Sequence, residues 1–346
     1  MTAPLAILFV ASFALTAALT PLLRRLSTRV GFLDHPGPRK IHTRPIPYGG
    51  GVAVAAGVLA VGALHALLHP GFHPAWNELL WRSIVFSAGS LVILALGLLD
   101  DRNKLSPGFK IVVQAVVALG VALGGERFQL FALGTPLEVA ATVLWILAVT
   151  NAFNLLDHMD GLSTGVAAIA GGAFLIVALQ THQWGVAVLL VPLLGACLGF
   201  LPFNFPPARI FLGDAGSLFI GFWLSCLTIS FTFHEHSRSP LYTYFVPLAI
   251  LAVPFFDTAS VVAIRLIRRR PIFEGDTNHL AHRLSALGMS YRRAVLTVYA
   301  LTALAGLSAV LLYHVPTVGA VILLVQLLLT FGIITLLEVS GRSERP

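Results

Sequence analysis

The sequence has very little charge and almost no cysteine. Of its 346 residues only 11% are Asp, Glu, Lys or Arg, whereas 57% are hydrophobic, and the mean hydropathy is +0.87. Soluble domains contain about 25% charged residues, so this composition excludes an ordinary soluble protein. The two cysteines, Cys197 and Cys226, both lie in apolar runs. That placement argues against a disulfide framework or a cysteine metal site and favours small core residues.

The little charge that is present is mostly positive, with a net charge of +7. In a soluble protein this would suggest nucleic acid. In a membrane protein, basic residues instead hold loops at the anionic cytoplasmic surface, so we expect the lipid bilayer as a partner and no nucleic acid. The first apolar run lacks an N-terminal positive charge and is followed by Arg24 and Arg25, so we interpret it as a membrane span and not as a signal peptide.

Long apolar runs dominate the chain. A spanning helix needs about 20 mainly apolar residues. Eleven runs qualify, near 3–23, 49–69, 82–99, 109–124, 136–153, 162–180, 184–202, 215–233, 243–264, 294–313 and 316–337. We therefore predict an all-α, polytopic membrane helical bundle of about eleven transmembrane helices. Because no repeat or low-complexity linker interrupts it, we assign residues 1–346 to a single integral membrane domain.

The distribution of Lys and Arg predicts the orientation of these spans. With the N-terminus outside, 19 of the 22 Lys and Arg residues lie in inside segments and three lie outside. The positive-inside rule therefore predicts an outside N-terminus and a cytoplasmic C-terminus. Most of the acidic residues fall in the same inside segments.

The segment NAFNLLDHMDGL, residues 151–162, brings several polar residues to the end of an apolar run. A carboxylate at the bilayer centre costs several kcal/mol, with estimates from about 3 to more than 10, so Asp157 and Asp160 need water or a cation. Asn154, Asp157 and Asp160 are spaced by three, and on a continuous helix they would cover an arc of about 120°. Their oxygens are ligands that suit Mg²⁺.

Two further acidic segments lie at predicted inside helix ends. In LGLLDDRNKL, Asp100 and Asp101 are adjacent and diverge by about 100° on a helix, so they cannot share one role. Lys104 and Lys110 add positive charge nearby. A solvated helix cap is the alternative here. In GDAGS, Asp214 is placed either as an N-cap or in a helix start whose free N–H groups face phosphate.

The inside loops also carry basic residues suited to phosphate. The loop at 268–293 contains His279, His282 and Arg283, and the segment at 34–51 adds Lys40 and His42. No cysteine or third histidine lies in the first loop, which argues against Zn²⁺ there. Carboxylates and amides for Mg²⁺ beside cations for phosphates are typical of phosphoryl transfer, and a site at the lipid boundary indicates a lipid substrate.

An ion-coupled membrane transporter is the alternative from a different functional class. Such a protein needs ionisable groups near the bilayer midplane. Only Asp257, in PFFDT, lies clearly inside a predicted span, toward its cytoplasmic end.

At these motifs the chain resembles the polyprenyl-phosphate N-acetylhexosamine-1-phosphate transferases, which include the lipid-linked GlcNAc-1-phosphate transferases and the phospho-MurNAc-pentapeptide translocases. The matching segments, in family order, are RKIHTRPIPYGG, LGLLDDRNKL, NAFNLLDHMDGL, FNFPPARIFLGDAGS, PFFDT and GDTNHLAHRL. The resemblance implies a multi-pass protein of the bacterial inner (plasma) membrane, of ten or eleven helices, with an active site on the cytoplasmic face. It implies Mg²⁺ as cofactor, with Mn²⁺ as an alternative, and leaves homodimerisation open.

The implied reaction moves N-acetylhexosamine-1-phosphate, with GlcNAc favoured, from a UDP-N-acetylhexosamine to undecaprenyl phosphate and releases UMP. The resemblance places catalysis at Asp100, Asp101, Asp157, Asp160 and His279, and Mg²⁺ at Asp214 and Asp157. It places substrate contacts at Lys104, Asn154, Asn204 and Phe211. Together with the reasoning from basic loops, the predicted substrate-binding set adds Lys40, His42, His282 and Arg283.

The chain also departs from the family pattern. His158 stands where the family often has Gly, and Ala281 in HLAH stands where many GlcNAc-type members have another His. The His-His-His motif and the PTMGG-like segment of the MurNAc-pentapeptide branch are absent. These differences favour the GlcNAc branch over a phospho-MurNAc-pentapeptide transferase, which stays the alternative within the family.

Overall fold

The computed structural model describes residues 2–37, 43–68, 76–128, 134–231, 241–271 and 278–343. Its helices are α1 (Thr2–Arg29), α2 (Gly50–Leu68), α3 (Trp76–Asn103), α4 (Pro107–Leu123), α5 (Thr135–Leu156), α6 (Leu162–Gln180), α7 (Trp184–Asn204), α8 (Gly213–Ser230), α9 (Val246–Ile250), α10 (Ala252–Ile267), α11 (Leu280–Ala286), α12 (Tyr291–Leu311) and α13 (Thr317–Ser343). A 3₁₀ turn at Leu241–Phe245 precedes α9. Two short strands, β1 (Leu33–Asp34) and β2 (Ile46–Pro47), pair antiparallel.

The all-α polytopic class is confirmed. Within the described ranges, nine helices are long and apolar enough to cross a membrane, and the bent pair Tyr242–Ile250 and Ala252–Ile267 makes a tenth. The short apolar helix α4 coincides with the predicted span at 109–124. Lipid offers no hydrogen-bond partners, whereas a helix pairs its internal backbone N–H and C=O groups with one another. For this reason apolar runs of this length form helices.

The expectation of one continuous helix over 243–264 is wrong. The chain breaks at Leu251, and the two flanking helices differ in direction by 72°. Pro254 lies in the first turn of α10 and has no N–H to donate to the carbonyl of Ile250, so the helical hydrogen-bond ladder cannot run through this point. The break separates α9 from the Asp257-bearing α10.

The helix through NAFNLLDHMDGL is also not continuous. Helix α5 ends at Leu156, and Asp157 is its C-cap with φ −81° and ψ 41°. Gly161 then adopts a left-handed conformation with φ +73° and precedes α6 as its N-cap. Asp157 and Asp160 therefore lie in a turn between two spans, and the 120° helical arc predicted for Asn154, Asp157 and Asp160 does not form.

Burial increases from the edge of the bundle to its centre. In α8, 89% of the spanning window is buried, compared with 11% in α13. Helices α6 and α7 are also largely buried, at 72% and 78%. The core is therefore built on α6, α7 and α8, and the apolar faces of α13 are left for lipid.

Glycines allow the start of α8 to approach α2 and α3 closely. A Cβ at Gly51 would lie 2.3 Å from the backbone nitrogen of Gly216, and one at Gly97 would lie 2.4 Å from the Cα of Ala215. Such contacts leave no room for a side chain, as in the small-residue packing of other membrane helices. The end of α3 is thereby held directly against the start of α8.

Candidate active site

At one end of the bundle, three chain segments distant in sequence contribute the predicted acidic site residues to a cavity of about 710 Å³. They are the end of α3, the turn between α5 and α6, and the start of α8. The predicted site residues that line the cavity are Asp100, Asp101, Lys104, Asp157, Asp160, Asn204, Phe211, Asp214 and His282. The bundle thus brings together most of the residues singled out in the sequence.

Asp101 caps the N-terminus of α8 from a position 113 residues earlier in the chain. Its Oδ1 accepts a hydrogen bond from the backbone nitrogen of Asp214 at 2.8 Å, and its Oδ2 accepts one from Ala215 at 3.2 Å. A Cβ at Gly213, whose φ is +74°, would lie 2.6 Å from Asp101 Oδ2. The alternative that Asp214 is the N-cap is therefore wrong: α8 begins at Gly213, and Asp214 lies in its first turn.

Asp214 consequently has its carboxylate available for other groups. The amide of Asn154 donates to Asp214 Oδ1 at 2.7 Å, and Lys110 Nζ lies 3.6 Å from Oδ2. Lys110 also forms an ion pair with Asp100, whose Oδ1 accepts from the backbone nitrogen of Leu105 at 2.6 Å. Lys110 is therefore the lysine that bridges two site carboxylates, whereas the predicted Lys104 is exposed at the cavity wall.

Asp157 is the acid with the least compensation. Burial raises its pKa, and the charges of Asp214, Asp101 and Asp160 raise it further. Within the described residues, no group donates a hydrogen bond to its side chain. Several carboxylates crowded together favour a cation, and a donor set of carboxylate and amide oxygens fits Mg²⁺.

Asp160 and Asn204 join the loops that border the cavity. Asp160 Oδ2 accepts from the backbone nitrogen of Ala208 at 2.8 Å. Asn204 is 2% exposed, accepts from Gly161 N at 3.0 Å and donates to Ile210 O at 3.0 Å. Both side chains hold the α5–α6 turn against the loop before α8, and direct substrate contact by Asn204 stays a prediction.

The predicted His279 and Arg283 lie behind the cavity wall and are not among its lining residues. Arg283 is buried, and its Nε donates to Glu338 Oε2 at 2.8 Å. His279 is 4% exposed, and its Nδ1 lies 2.8 Å from Asp257 Oδ2. Asp257, the acid inside a predicted span, therefore directs its carboxylate to the residue at the start of α11. Lys40 and His42 fall outside the described residues.

His158 connects these histidines to the cavity. Its ring centroid lies 4.2 Å from that of His279 and 4.9 Å from that of His282. Burial, together with the charge of His279, lowers the pKa of His158 to about 3, so it is neutral at pH 7. The sequence argument against zinc considered only the histidines of the loop at 268–293, whereas the structure brings His158 from the α5–α6 turn beside them.

Some cavity residues were not selected from the sequence. Tyr48 lines the wall and donates from its hydroxyl to Asp34 Oδ1 at 2.9 Å, and Asp34 also lines the wall. The start of α12 contributes Ser290, Tyr291 and Arg292. In the sequence, Asp34 is an acid that precedes a basic segment, and the α12 residues belong to the run SYRR. Neither pattern distinguishes a residue that lines a site from one in an ordinary loop.

Comparison with known proteins places the chain among membrane transferases. Residues 83–232 match the model of glycosyl transferase family 4. The chain is 34% identical over 316 residues to a probable undecaprenyl-phosphate N-acetylglucosaminyl 1-phosphate transferase of Bacillus subtilis, covering 88% of this chain and 84% of that protein. It is 33% identical over 323 residues to a decaprenyl-phosphate N-acetylglucosaminephosphotransferase of Mycobacterium tuberculosis, covering 82% and 78%. An undecaprenyl-phosphate alpha-N-acetylglucosaminyl 1-phosphate transferase of Escherichia coli is 26% identical over 334 residues, covering 92% and 87%.

Proposed function

Because the chain belongs to glycosyl transferase family 4, in the branch of the N-acetylglucosamine-1-phosphate transferases, we propose that it transfers GlcNAc-1-phosphate from UDP-GlcNAc to undecaprenyl phosphate. A phosphate oxygen of the lipid forms a bond to the sugar-bearing phosphorus. The bond from that phosphorus to the bridging oxygen breaks, and UMP leaves with this oxygen. One phosphoanhydride replaces another, and the product begins a lipid-linked cell-envelope glycan.

One observation carries this proposal: six carboxylates from four segments distant in sequence line a single cavity at one end of the helix bundle. Two polyanionic substrates must meet in the reaction, and catalysis of phosphoryl transfer is mostly positioning and charge neutralisation. A cavity rich in carboxylates repels such substrates unless a cation is present. The same feature therefore supports both phosphoryl transfer and a divalent metal.

We assign Mg²⁺ to the oxygen donors of Asp214 and Asp157, with Mn²⁺ as an alternative that accepts the same ligands. When bound, the ion would neutralise phosphate charge in the transition state. Asn154 holds Asp214 at 2.7 Å, and Asp101 holds the helix start that carries it. These two residues would fix the metal ligands in place.

Asp100 is proposed to orient the acceptor phosphate. The second pKa of a phosphate monoester is about 6, so the lipid phosphate is largely ionised at pH 7 and needs no general base. The ion pair with Lys110 and the hydrogen bond from Leu105 hold the Asp100 carboxylate. Asp160 would act by holding the loop at Ala208.

The remaining predicted residues are assigned to the UDP-sugar. Lys104 and His282 line the cavity and suit phosphate oxygens, and the Phe211 ring suits the uracil face. His279 and Arg283 would act from behind the wall through α11. The direct contacts of these residues, and those of Asn204, Lys40 and His42, are part of this proposal.

We place the protein in the bacterial inner membrane with its cavity facing the cytoplasm, where the 19 to 3 distribution of Lys and Arg puts the same helix ends. A cysteine at Ala286, in a variant carrying Cys197→Ser and Cys226→Ser, should resist an impermeant thiol reagent in intact cells. A cysteine at Thr135 should be labelled. Both positions are exposed, and the reverse pattern would contradict this orientation.

The activity test is UMP release by the purified chain with undecaprenyl phosphate, Mg²⁺ and a panel of UDP-sugars. UDP-GlcNAc should be the preferred donor, ahead of other UDP-N-acetylhexosamines. A preference for UDP-MurNAc-pentapeptide would move the chain to the other branch. Ion or solute transport in vesicles without any UDP-sugar, and no UMP release, would refute the transferase assignment.

A further inference from the structure

A second group of possible metal ligands lies beside the carboxylate cavity, and the proposed reaction uses none of its three members to hold a metal ion. His158 comes from the α5–α6 turn, Asp257 from α10 and His279 from the residue before α11. Each offers one ligand atom, and these atoms all lie within 4.8 Å of one another. His279 is 4% exposed and Asp257 1%, so the cluster is enclosed and differs from a chance group of surface acids.

Each member of this cluster is held by a contact with the backbone or with its neighbour. His158 Nδ1 lies 3.0 Å from Leu155 O, which makes Nδ1 the protonated nitrogen and leaves a lone pair on Nε2. Asp257 Oδ1 accepts from the backbone nitrogen of Leu280 at 2.5 Å, while Oδ2 meets His279 Nδ1 at 2.8 Å. The contacts with Leu155 and Leu280 are outer contacts of the kind that orients metal ligands, whereas a bound cation would replace the proton between His279 Nδ1 and Asp257 Oδ2.

His158 Nε2 provides a separate indication of a ligand. The atom is buried and finds no hydrogen-bond partner within the described part of the chain. A buried polar atom without a partner costs about 1–3 kcal/mol, and native proteins rarely leave one unexplained. A bound cation would use this lone pair.

The chemistry of the donors selects the kind of ion. Two imidazoles and one carboxylate suit Zn²⁺, which binds three protein ligands and keeps a fourth position for water. Mg²⁺ prefers oxygen ligands, so the two neighbouring sites would take different ions. We propose that His158, Asp257 and His279 form a Zn²⁺-class binding site that is separate from the carboxylate site.

Occupation of this site should inhibit the enzyme. His158 lines the cavity as well as the cluster, and an ion there would hold the His158 ring in the cluster, so that the ring could no longer adjust to a substrate in the cavity. This regulatory consequence rests on the proposed transferase function, whereas the binding itself does not.

Binding is tested on the full chain in nanodiscs, stripped with EDTA and then held in excess Mg²⁺ to occupy the oxygen donors. Titration with Zn²⁺ by calorimetry should show one site per chain. His158→Gly should weaken it by at least about tenfold, the lower end of the effect of losing even an outer-shell partner of a metal ligand. The matched control is His182→Gly, in the α6–α7 turn, where φ is +56° and glycine is well accommodated; its affinity should equal that of the unmodified chain. No site above the Mg²⁺ background, or equal affinity in all three proteins, would overturn the proposal.

X-ray absorption by the zinc-loaded unmodified chain keeps the test valid if His158→Gly misfolds. Two imidazoles should give outer-shell scattering and Zn–N distances of about 2.0–2.1 Å. A shell of oxygen alone would refute the site.

Zn²⁺ should also lower UMP release at saturating Mg²⁺ in the unmodified chain but not in His158→Gly. Stoichiometric Zn²⁺ binding without inhibition would refute the proposal that the site regulates activity. A chain that binds Zn²⁺ but releases no UMP under any condition would count only against the proposed transferase function.

Discussion

The acidic residues at the two ends of the bundle differ in how far neighbouring cations compensate their charge. At the end away from the cavity, Glu126 forms an ion pair with Arg82 at 2.9 Å and accepts from Ser230 at 2.8 Å, and Glu138 lies 3.4 Å from Arg127. Both of these acids, within the described part of the chain, therefore have a cation of their own. At the cavity end, two carboxylates, those of Asp100 and Asp214, share Lys110, and burial beside like charges raises the pKa of Asp157. Acids that serve structure are paired one to one, whereas the excess at the cavity end indicates a site built to receive a cation.

Removal of divalent metal should have the largest effect, and only on the cavity end. Excess EDTA should abolish UMP release, because the uncompensated carboxylates would then face polyanionic substrates, and added Mg²⁺ should restore it. The thermal unfolding midpoint should change much less than the activity, since the paired acids at the other end need no metal. Full activity in excess EDTA would contradict the comparison.

Asp214→Ala should lower kcat by about several hundredfold or more, since metal positioning is worth several kcal/mol. Its control is Glu138→Ala, which removes an acid paired with Arg127 at the opposite end. That variant should keep kcat within about twofold, as expected for a partly exposed ion pair. Equal losses in the two variants would show that the excess of charge at the cavity end has no catalytic meaning.

Asp100→Asn should reduce kcat by about a hundredfold, the effect of misplacing a reacting group by about 1 Å. The neutral amide would lose the ion pair with Lys110 and with it the fixed orientation. Asp34→Asn should cost less than about tenfold, because an Asn oxygen still accepts from the Tyr48 hydroxyl. Steady-state UMP release measures both, and near-normal turnover of Asp100→Asn would remove the orienting role.

Glu126→Gln should have the smallest effect on activity. It breaks the pair with Arg82 but keeps an oxygen that can accept from Ser230. The loss of stability should be about 1 kcal/mol, in the range of partly exposed pairs, and the unfolding midpoint should fall by a few degrees. Thermal unfolding and kcat are measured on the same sample. A loss of turnover as large as that of Asp100→Asn would mean that the two ends are not separate.

Much of the site could be selected from sequence because its residues cluster in motifs. Asp100, Asp157, Asp160 and Asp214 all stand at ends of apolar runs, where a carboxylate is out of place without water or a cation. The structure brings them to one cavity. Tyr48 and Arg292 were missed because an aromatic or basic residue in a loop carries no signal of what it faces.

The sequence by itself determined the membrane class and the positions of most of the membrane helices. Partition into lipid depends on the sum of local apolar residues, so each run can be read without knowledge of the others. The close agreement of α6 with the predicted 162–180 illustrates this. The distribution of Lys and Arg is likewise a property of the chain order, although it yields only an expected orientation.

Only the tertiary structure decided which polar groups meet. Asp101 caps a helix 113 residues away, Asp257 holds α11 by the backbone of Leu280, and His158 lies against His279. Each pairing depends on where helix ends fall after packing, which glycines such as Gly97 permit by removing a side chain from the contact. Hydrophobic burial is additive along the chain, whereas hydrogen bonds and ion pairs are directional and short. For that reason the order of residues predicts the spans, and the packing of the spans decides the site.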